Sequence, residues 1–393
     1  MVIKRIPRLS IQVSSIWLGP RQTGKSTLIK TELSHLPFFE VNLLKSDIYA
    51  KYLKDPSQFR KDILYQIKVK NIKYVFVDEF QKIPSLTNEI HLLIEETKLL
   101  FFMSGSSARK LKRGNANMLG GRAIMCPLFP LTFFELGNEF VLNQVLQFGS
   151  LAGIYFCEPE IRVEKLLAYI EIYLKEEIAQ EGLVRKLDSF HRFLDVAGFY
   201  SGEILNLSNI ARECGVSHKT VLSYFEILEE TLLGYRLNPW DKSLKKQLAK
   251  HSKFYFSDNG INQAINQQLR DPLTPILRGK LFEQWVINEI RAYINYFKLD
   301  YKLHFWRTER GEYEIDLILS KQQKPEFAIE IKAKKRIDKN DLKSLREFKL
   351  DYPKVKLFCL CEVIDPYIEG EVLVMSPMIF FKDYLLNKFT RNI

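Results

Sequence analysis

The stretch Gly19-Pro-Arg-Gln-Thr-Gly24-Lys25-Ser26 constrains this chain more than any other feature. It follows the apolar run SIWL and leads into STLIKTEL, the strand–loop–helix setting that a GxxxxGK[ST] pattern requires. Glycines let such a loop wrap phosphates closely, while successive backbone N–H groups and the following helix N-terminus face the anion. The pattern predicts a nucleotide cradle made of Gly19, Pro20, Arg21, Gln22, Thr23, Gly24, Lys25, Ser26 and Thr27. Lys25 would reach the β- and γ-phosphates and the Ser26 hydroxyl would ligate Mg²⁺, so ATP and Mg²⁺ are the expected cofactors.

A second run, KYVFVDEF, reads as an apolar strand ending in Asp78-Glu79. Carboxylates at the C-terminal end of a strand lie in the crevice where α/β sheets bind ligands. Asp78 would hold Mg²⁺ through its water shell, and Glu79 would orient or deprotonate an attacking water. A third strand, LLFFM, ends in Ser104-Gly105-Ser106-Ser107, where a hydroxyl, with Ser106 the candidate, would hold that water or the γ-phosphate. Arginines follow at Arg109, Arg113 and Arg122. Arg122 is the candidate for stabilising charge on the transferring phosphoryl group, in cis or from a neighbouring subunit of a homo-oligomer.

Composition narrows the rest. The chain has 393 residues, 46% apolar and 27% charged, which predicts two or three globular domains. No run of about 18 apolar residues offers a membrane span. The five scattered cysteines (Cys126, Cys157, Cys214, Cys359 and Cys361) predict free thiols in a reducing cytoplasm, without a zinc site. The net charge of +11 lies mostly in residues 1–150, whereas 151–260 are slightly acidic. A basic balance favours polyanions such as ATP or nucleic acid. The pattern divides into a parallel α/β domain over 1–150, a helical module over 151–265 and a second α/β domain over 266–393. Strands are expected at Ser15–Leu18, Tyr74–Val77, Leu99–Met103, Tyr301–Trp306, Tyr313–Leu319 and Phe327–Ala333.

The middle module contains LNLSNIARECGVSHKTVLSYFEILEETLLGYRL, which has helix–turn–helix form. Ser208 is the expected cap of the first helix, Gly215 the turn and Ser217 the cap of the second. In a DNA-bound arrangement His218, Lys219 and Ser223 would face the nucleic acid. Lys242, Lys245, Lys246, Lys250 and Lys253 are the local phosphate-contact candidates. Farther on, EIDLIL and FAIEIKA read as paired strands joined by SKQQKP. Glu330 and Lys332, two apart, share a face, and Asp316 reaches it from the neighbouring strand. Two carboxylates and a lysine suit Mg²⁺-dependent phosphodiester hydrolysis, with Glu283, Asp316 and Glu330 as metal ligands and Lys332 positioning water or neutralising charge. Charge alternation on a half-exposed hairpin gives the same pattern without that chemistry.

On these motifs the chain resembles the bacterial and archaeal AAA-type ATPases that pair a P-loop domain with a large C-terminal region. The matching blocks are GPRQTGKSTL, VFVDEFQKIP, SGSSARKL, GGRAIMCPLFPLTFFEL, YLKEEIAQEGLVRKLDSFHRFL, NIARECGVSHKTVLSYFEILEETLLGYRL, KFYFSDNG, LFEQWVINEI and FWRT…EIDLIL…IEIKA. The resemblance implies an ATPase with a winged-helix insertion and a C-terminal fold similar to the PD-(D/E)xK nuclease core. Family members often carry Thr where this chain has Ser104. Two outputs remain open. One couples ATP turnover to handling of nucleic acid, DNA more than RNA, with cleavage by the C-terminal domain. The other is a nucleotide-gated protein-interaction switch on a catalytically silent nuclease-like scaffold.

Overall fold

The aromatic and β-branched runs at Ser14–Leu18 (β1), Tyr74–Asp78 (β3) and Leu100–Gly105 (β4) form the centre of a five-stranded parallel sheet in the computed structural model. Residues 3–107, 119–174, 187–243, 245, 247 and 251–387 are described. The sheet order is β2-β3-β4-β1-β5, with β2 at Phe38–Asn42 and β5 at Ala123–Pro127. The three central strands are the ones the sequence predicts. The edge strands FFEVN and AIMCP are partly exposed; Glu40 interrupts the first and Pro127 closes the second. Ile16, Val75, Val77, Phe101 and Met103 share one core with Phe59 and Ile63 of the helix Ser57–Lys70 and with Ile90 and Leu93 of the helix Leu86–Glu96. Trp17, Phe76 and Phe102, their alternates along the strands, are equally buried, as a parallel sheet covered on both faces demands. Because every strand pair is parallel, the C-terminal ends of β1, β3 and β4 meet along one edge.

The chain divides into two units. The first is Met1–Leu136 with Leu151–Phe156 and Glu226–Leu233; the second is Gly137–Ser150, Cys157–Phe225 and Gly234–Ile393. Gly234–Pro239 (β6) and Lys253–Phe256 (β7) form an antiparallel hairpin after the helix pair. The end of β6 then pairs in parallel with β8, Lys302–Arg307. An eight-stranded sheet results, in the order β12-β13-β11-β10-β9-β8-β6-β7. Its remaining strands are β9 (Glu314–Lys321), β10 (Lys324–Lys332), β11 (Lys356–Cys361), β12 (Tyr367–Glu369) and β13 (Val372–Met375). Gln322 and Gln323, both at positive φ (50° and 59°), make the tight β9–β10 turn expected within SKQQKP.

The helix pair spans Leu207–Cys214 and His218–Glu230. Its first cap is Asn206, whose side-chain oxygen accepts the Asn209 N–H at 3.1 Å, rather than Ser208. Gly215 at φ 65° makes the turn, and Ser217 Oγ accepts the Thr220 N–H at 3.2 Å. His218 and Lys219 are exposed. Lys246 and Lys250, like Arg109 and Arg113, lie outside the described residues. All five cysteines are free. Among the described residues no helix is long and apolar enough to cross a membrane.

Candidate functional site

The helix Lys25–Leu33 starts where β1 ends, with Gly24 at φ 87° turning the chain into it. Gly19 has no alternative: a Cβ there would lie 2.1 Å from the Leu128 carbonyl oxygen. The Thr23 hydroxyl donates to the Pro20 carbonyl at 2.8 Å and closes the loop on itself. Lys25 is buried, and its Nζ donates to the Gly19 and Pro20 carbonyls, both at 2.8 Å. Burial pulls its pKa down from 10.5 to about 8, against the opposing pull of Glu79 and Asp78.

The acidic end of β3 reaches this loop. Ser26 Oγ donates to Asp78 Oδ1 at 2.6 Å, and Ser104 Oγ donates to the same oxygen. The chain then turns sharply, with Glu79 at φ 55°, and Ser104 Oγ accepts the Glu79 N–H at 3.2 Å. Ser106 Oγ lies 3.4 Å from Glu79 Oε2. Lys25, Ser26, Asp78, Glu79, Ser104 and Ser106 thus form one group. Its hydroxyl and carboxylate oxygens are hard donors of the kind Mg²⁺ takes, so the residues present fit that ion. Beside the loop lies a cavity of about 500 Å³ lined by Arg5, Arg8, Gly24, Thr27, Thr31 and Phe156 among others. Gln22 and Thr27 are exposed, whereas Arg21 is half-buried and adds to the depression of the Lys25 pKa.

Arg122 is not brought to this group. It stands just before β5, at the N-terminal end of a parallel strand and so at the opposite sheet edge from the P-loop. There its guanidinium pairs with Glu95, with Nε at 3.1 Å. The expected cis role is corrected accordingly. Two residues that spacing alone does not reveal are Arg5 and Glu135. The buried Arg5 guanidinium donates to Glu135 Oε1 at 2.8 Å, to the Thr23 carbonyl at 2.6 Å and to the Phe129 carbonyl at 2.7 Å. Glu135 also accepts the Ile6 N–H at 2.9 Å, so the N-terminal segment is tied to the phosphate loop.

In the second unit Asp316, Glu330 and Lys332 do come together. Lys332 Nζ donates to Glu330 and stands 3.7 Å from Asp316 Oδ2, which accepts the Ile331 N–H at 2.7 Å. Burial, then Asp316, pushes the Glu330 carboxyl well above its usual range, and its Oε2 has no hydrogen-bond partner. Glu283, on the helix Pro275–Tyr296, is pushed up to about 7 by burial, although Lys253 opposes this. Lys253 is not the exposed phosphate contact expected of it. Its buried Nζ lies 2.6 Å from Glu314 and 3.6 Å from Glu283, and Tyr255 donates to Glu283 at 2.6 Å. Among the described residues no group of three or more His, Cys, Asp or Glu side chains is disposed to hold a metal ion. Lys332 engages Asp316 and Glu330 directly, and Lys253 lies 3.6 Å from Glu283.

Residues 14–137 match the family described as AAA domain. This segment of the first unit, which includes the phosphate loop and the β3 carboxylates, is thus similar to AAA domains. Residues 154–271 and 278–378 match two domains of unknown function, DUF8612 and DUF4143. Uncharacterized proteins similar over about three quarters of the chain or more occur in Mycobacterium tuberculosis and Methanocaldococcus jannaschii. The first is 24% identical over 319 residues, 80% of this chain and 69% of that protein. The second is 22% identical over 321 residues, 74% of this chain and 69% of that protein. A Walker-type ATPase of Pyrococcus abyssi superposes with a TM-score of 0.43 at 13% identity, covering 64% of this chain and 90% of its own.

Proposed function

We propose that this chain binds ATP with Mg²⁺ at the AAA-type domain and hydrolyses it. The observation that carries the reading is the 2.6 Å hydrogen bond from Ser26 to Asp78, which joins the phosphate loop to the acidic strand end 52 positions away. Lys25 exchanges its two carbonyl partners for phosphate oxygens. Ser26 and Asp78 would hold Mg²⁺, which when bound neutralises charge on the phosphates. Glu79 takes the proton of the attacking water as its oxygen bonds to the γ-phosphorus and ADP leaves. The cavity beside Gly24 and Thr27 takes the nucleoside, with Arg5 and Arg8 lining it.

We infer that turnover is coupled to nucleic acid, DNA before RNA, on the strength of the +11 net charge and the exposed His218 and Lys219. The winged-helix and nuclease-like readings of the second unit belong to this proposal. The ion pairs of Lys253 and Lys332 favour the second output, a nucleotide-gated interaction switch on a catalytically silent scaffold. One assay separates them. The purified chain is incubated with ATP and Mg²⁺, with and without single- and double-stranded DNA and RNA, scoring phosphate release and strand cleavage. DNA-stimulated phosphate release supports coupling, and cleavage lost in Asp316→Ala adds a nuclease. Turnover indifferent to every nucleic acid leaves the switch.

A further inference from the structure

Gln81 sits two residues beyond Glu79 and is almost fully buried. Its Nε2 donates to Glu79 Oε2 at 2.5 Å and to Ser106 Oγ at 3.1 Å. The orientation of the amide follows from chemistry, since a carboxylate accepts and the opposite flip would set two oxygens against each other. Two features show that the chain is built around this contact. Glu79 adopts φ 55°, a left-handed conformation that costs a non-glycine residue about 1 kcal/mol, and this brings residue 81 back over residue 79. Gly105, at the end of β4, leaves the space the amide fills: a Cβ there would come within 2.8 Å of Gln81 Oε1. That oxygen is buried and has no hydrogen-bond partner. A glutamine kept only for packing would be cheaper as leucine, because an unsatisfied buried acceptor costs about 1–3 kcal/mol.

We propose that Gln81 is a positioning residue for hydrolysis, its amide nitrogen fixing the Glu79 carboxylate and the Ser106 hydroxyl in one orientation beside the phosphate loop. The inference rests on the ATPase reading above. It acts through Glu79 and not through nucleotide affinity: Gln81 makes no hydrogen bond to Gly19–Ser26. A base free to rotate loses the alignment on which proton transfer depends, and misplacement by about 1 Å can cost roughly 100-fold in rate.

The test uses the full chain and four variants: Gln81→Leu, Gln81→Glu, Glu79→Gln and the double Glu79→Gln/Gln81→Leu. The Kd for a fluorescent ATP analogue and the kcat for phosphate release are measured. Gln81→Leu should keep Kd within about twofold and lower kcat on the order of 100-fold. On the Glu79→Gln background the same change should have almost no further effect, because the group it positions is already gone. Gln81→Glu keeps the length of the side chain but replaces the amide donor with a carboxylate that cannot donate to Glu79, so kcat should fall as in Gln81→Leu while Kd stays within about twofold. Wild-type kcat in Gln81→Leu, additive losses in the double variant, or equal losses in Kd and kcat would overturn the proposal. Should Gln81→Leu not fold, wild-type kcat in Gln81→Glu overturns it. Absence of turnover in the wild-type chain contradicts the ATPase reading itself, and this inference with it.

Discussion

Lys25 shows most clearly what the geometry of the phosphate loop costs and what a ligand returns. Holding its ammonium at about 8 against 10.5 makes the folded state poorer by on the order of 3 kcal/mol at neutral pH. The sign follows from the direction: a lysine with a lowered folded pKa penalises folding while protonated, and the penalty fades as pH rises from about 8 towards 10.5. Phosphate reverses the preference by stabilising the charged form. Nucleotide binding should therefore take up protons above pH 8 and weaken as pH rises further. Calorimetry at pH 9 in buffers of different ionisation enthalpy measures this directly, and binding without proton uptake at that pH would contradict it. Glu283 works in the opposite sense. Its folded pKa is raised from 4.5 to about 7 by burial, so the folded state binds more protons than the unfolded chain in that window. Stability should fall as pH rises from 4.5 to 7, and Glu283→Gln should flatten that slope in melting curves. A slope unchanged by the substitution would remove Glu283 as its source.

At the scale of elements, Arg5 and Glu135 are the pair whose loss should be most visible. Both side chains are nearly inaccessible, at 5% and 0% exposure, and removing one partner leaves the other charge buried. Arg5→Met should destabilise the first unit by roughly 3–5 kcal/mol, read from denaturant unfolding of the full chain. A loss under about 1 kcal/mol would mean that solvent reaches the site. This pair also marks where sequence reading stops. The phosphate loop and the β3 carboxylates were legible because their chemistry needs fixed residue types at short spacing. Nothing in spacing tells that Glu135 reaches back to Arg5, or that Gln81 turns onto Glu79. The strands β2 and β5 are harder to read because edge strands are only half covered: Glu40 interrupts β2, and β5 is short and runs into Pro127. Lys253 was misread because its neighbours in sequence are basic, while its neighbours in space are Glu283 and Glu314. A run of lysines reads as a solvated face unless the partner strand is known.

Across the whole molecule, the first unit carries the phosphate loop and its carboxylates, and in the larger second unit Lys253 and Lys332 stand against Glu283, Glu314, Asp316 and Glu330. The hairpin β6–β7 pairs into the same sheet as β8–β13, and the helix His218–Glu230 before it runs from the second unit into the Glu226–Leu233 segment of the first. For that reason tests belong on the full chain and not on a fragment cut near residue 265. The central claim is that Lys25 binds phosphate and Glu79 activates water. It is tested most directly by measuring ATP affinity and single-turnover phosphate release in the wild type, Lys25→Ala and Glu79→Gln. The amide of Glu79→Gln can still hydrogen-bond water but cannot take its proton. The account predicts that Lys25→Ala abolishes both binding and release, whereas Glu79→Gln keeps the affinity and loses on the order of 100-fold or more in release. Wild-type release by Glu79→Gln would contradict it.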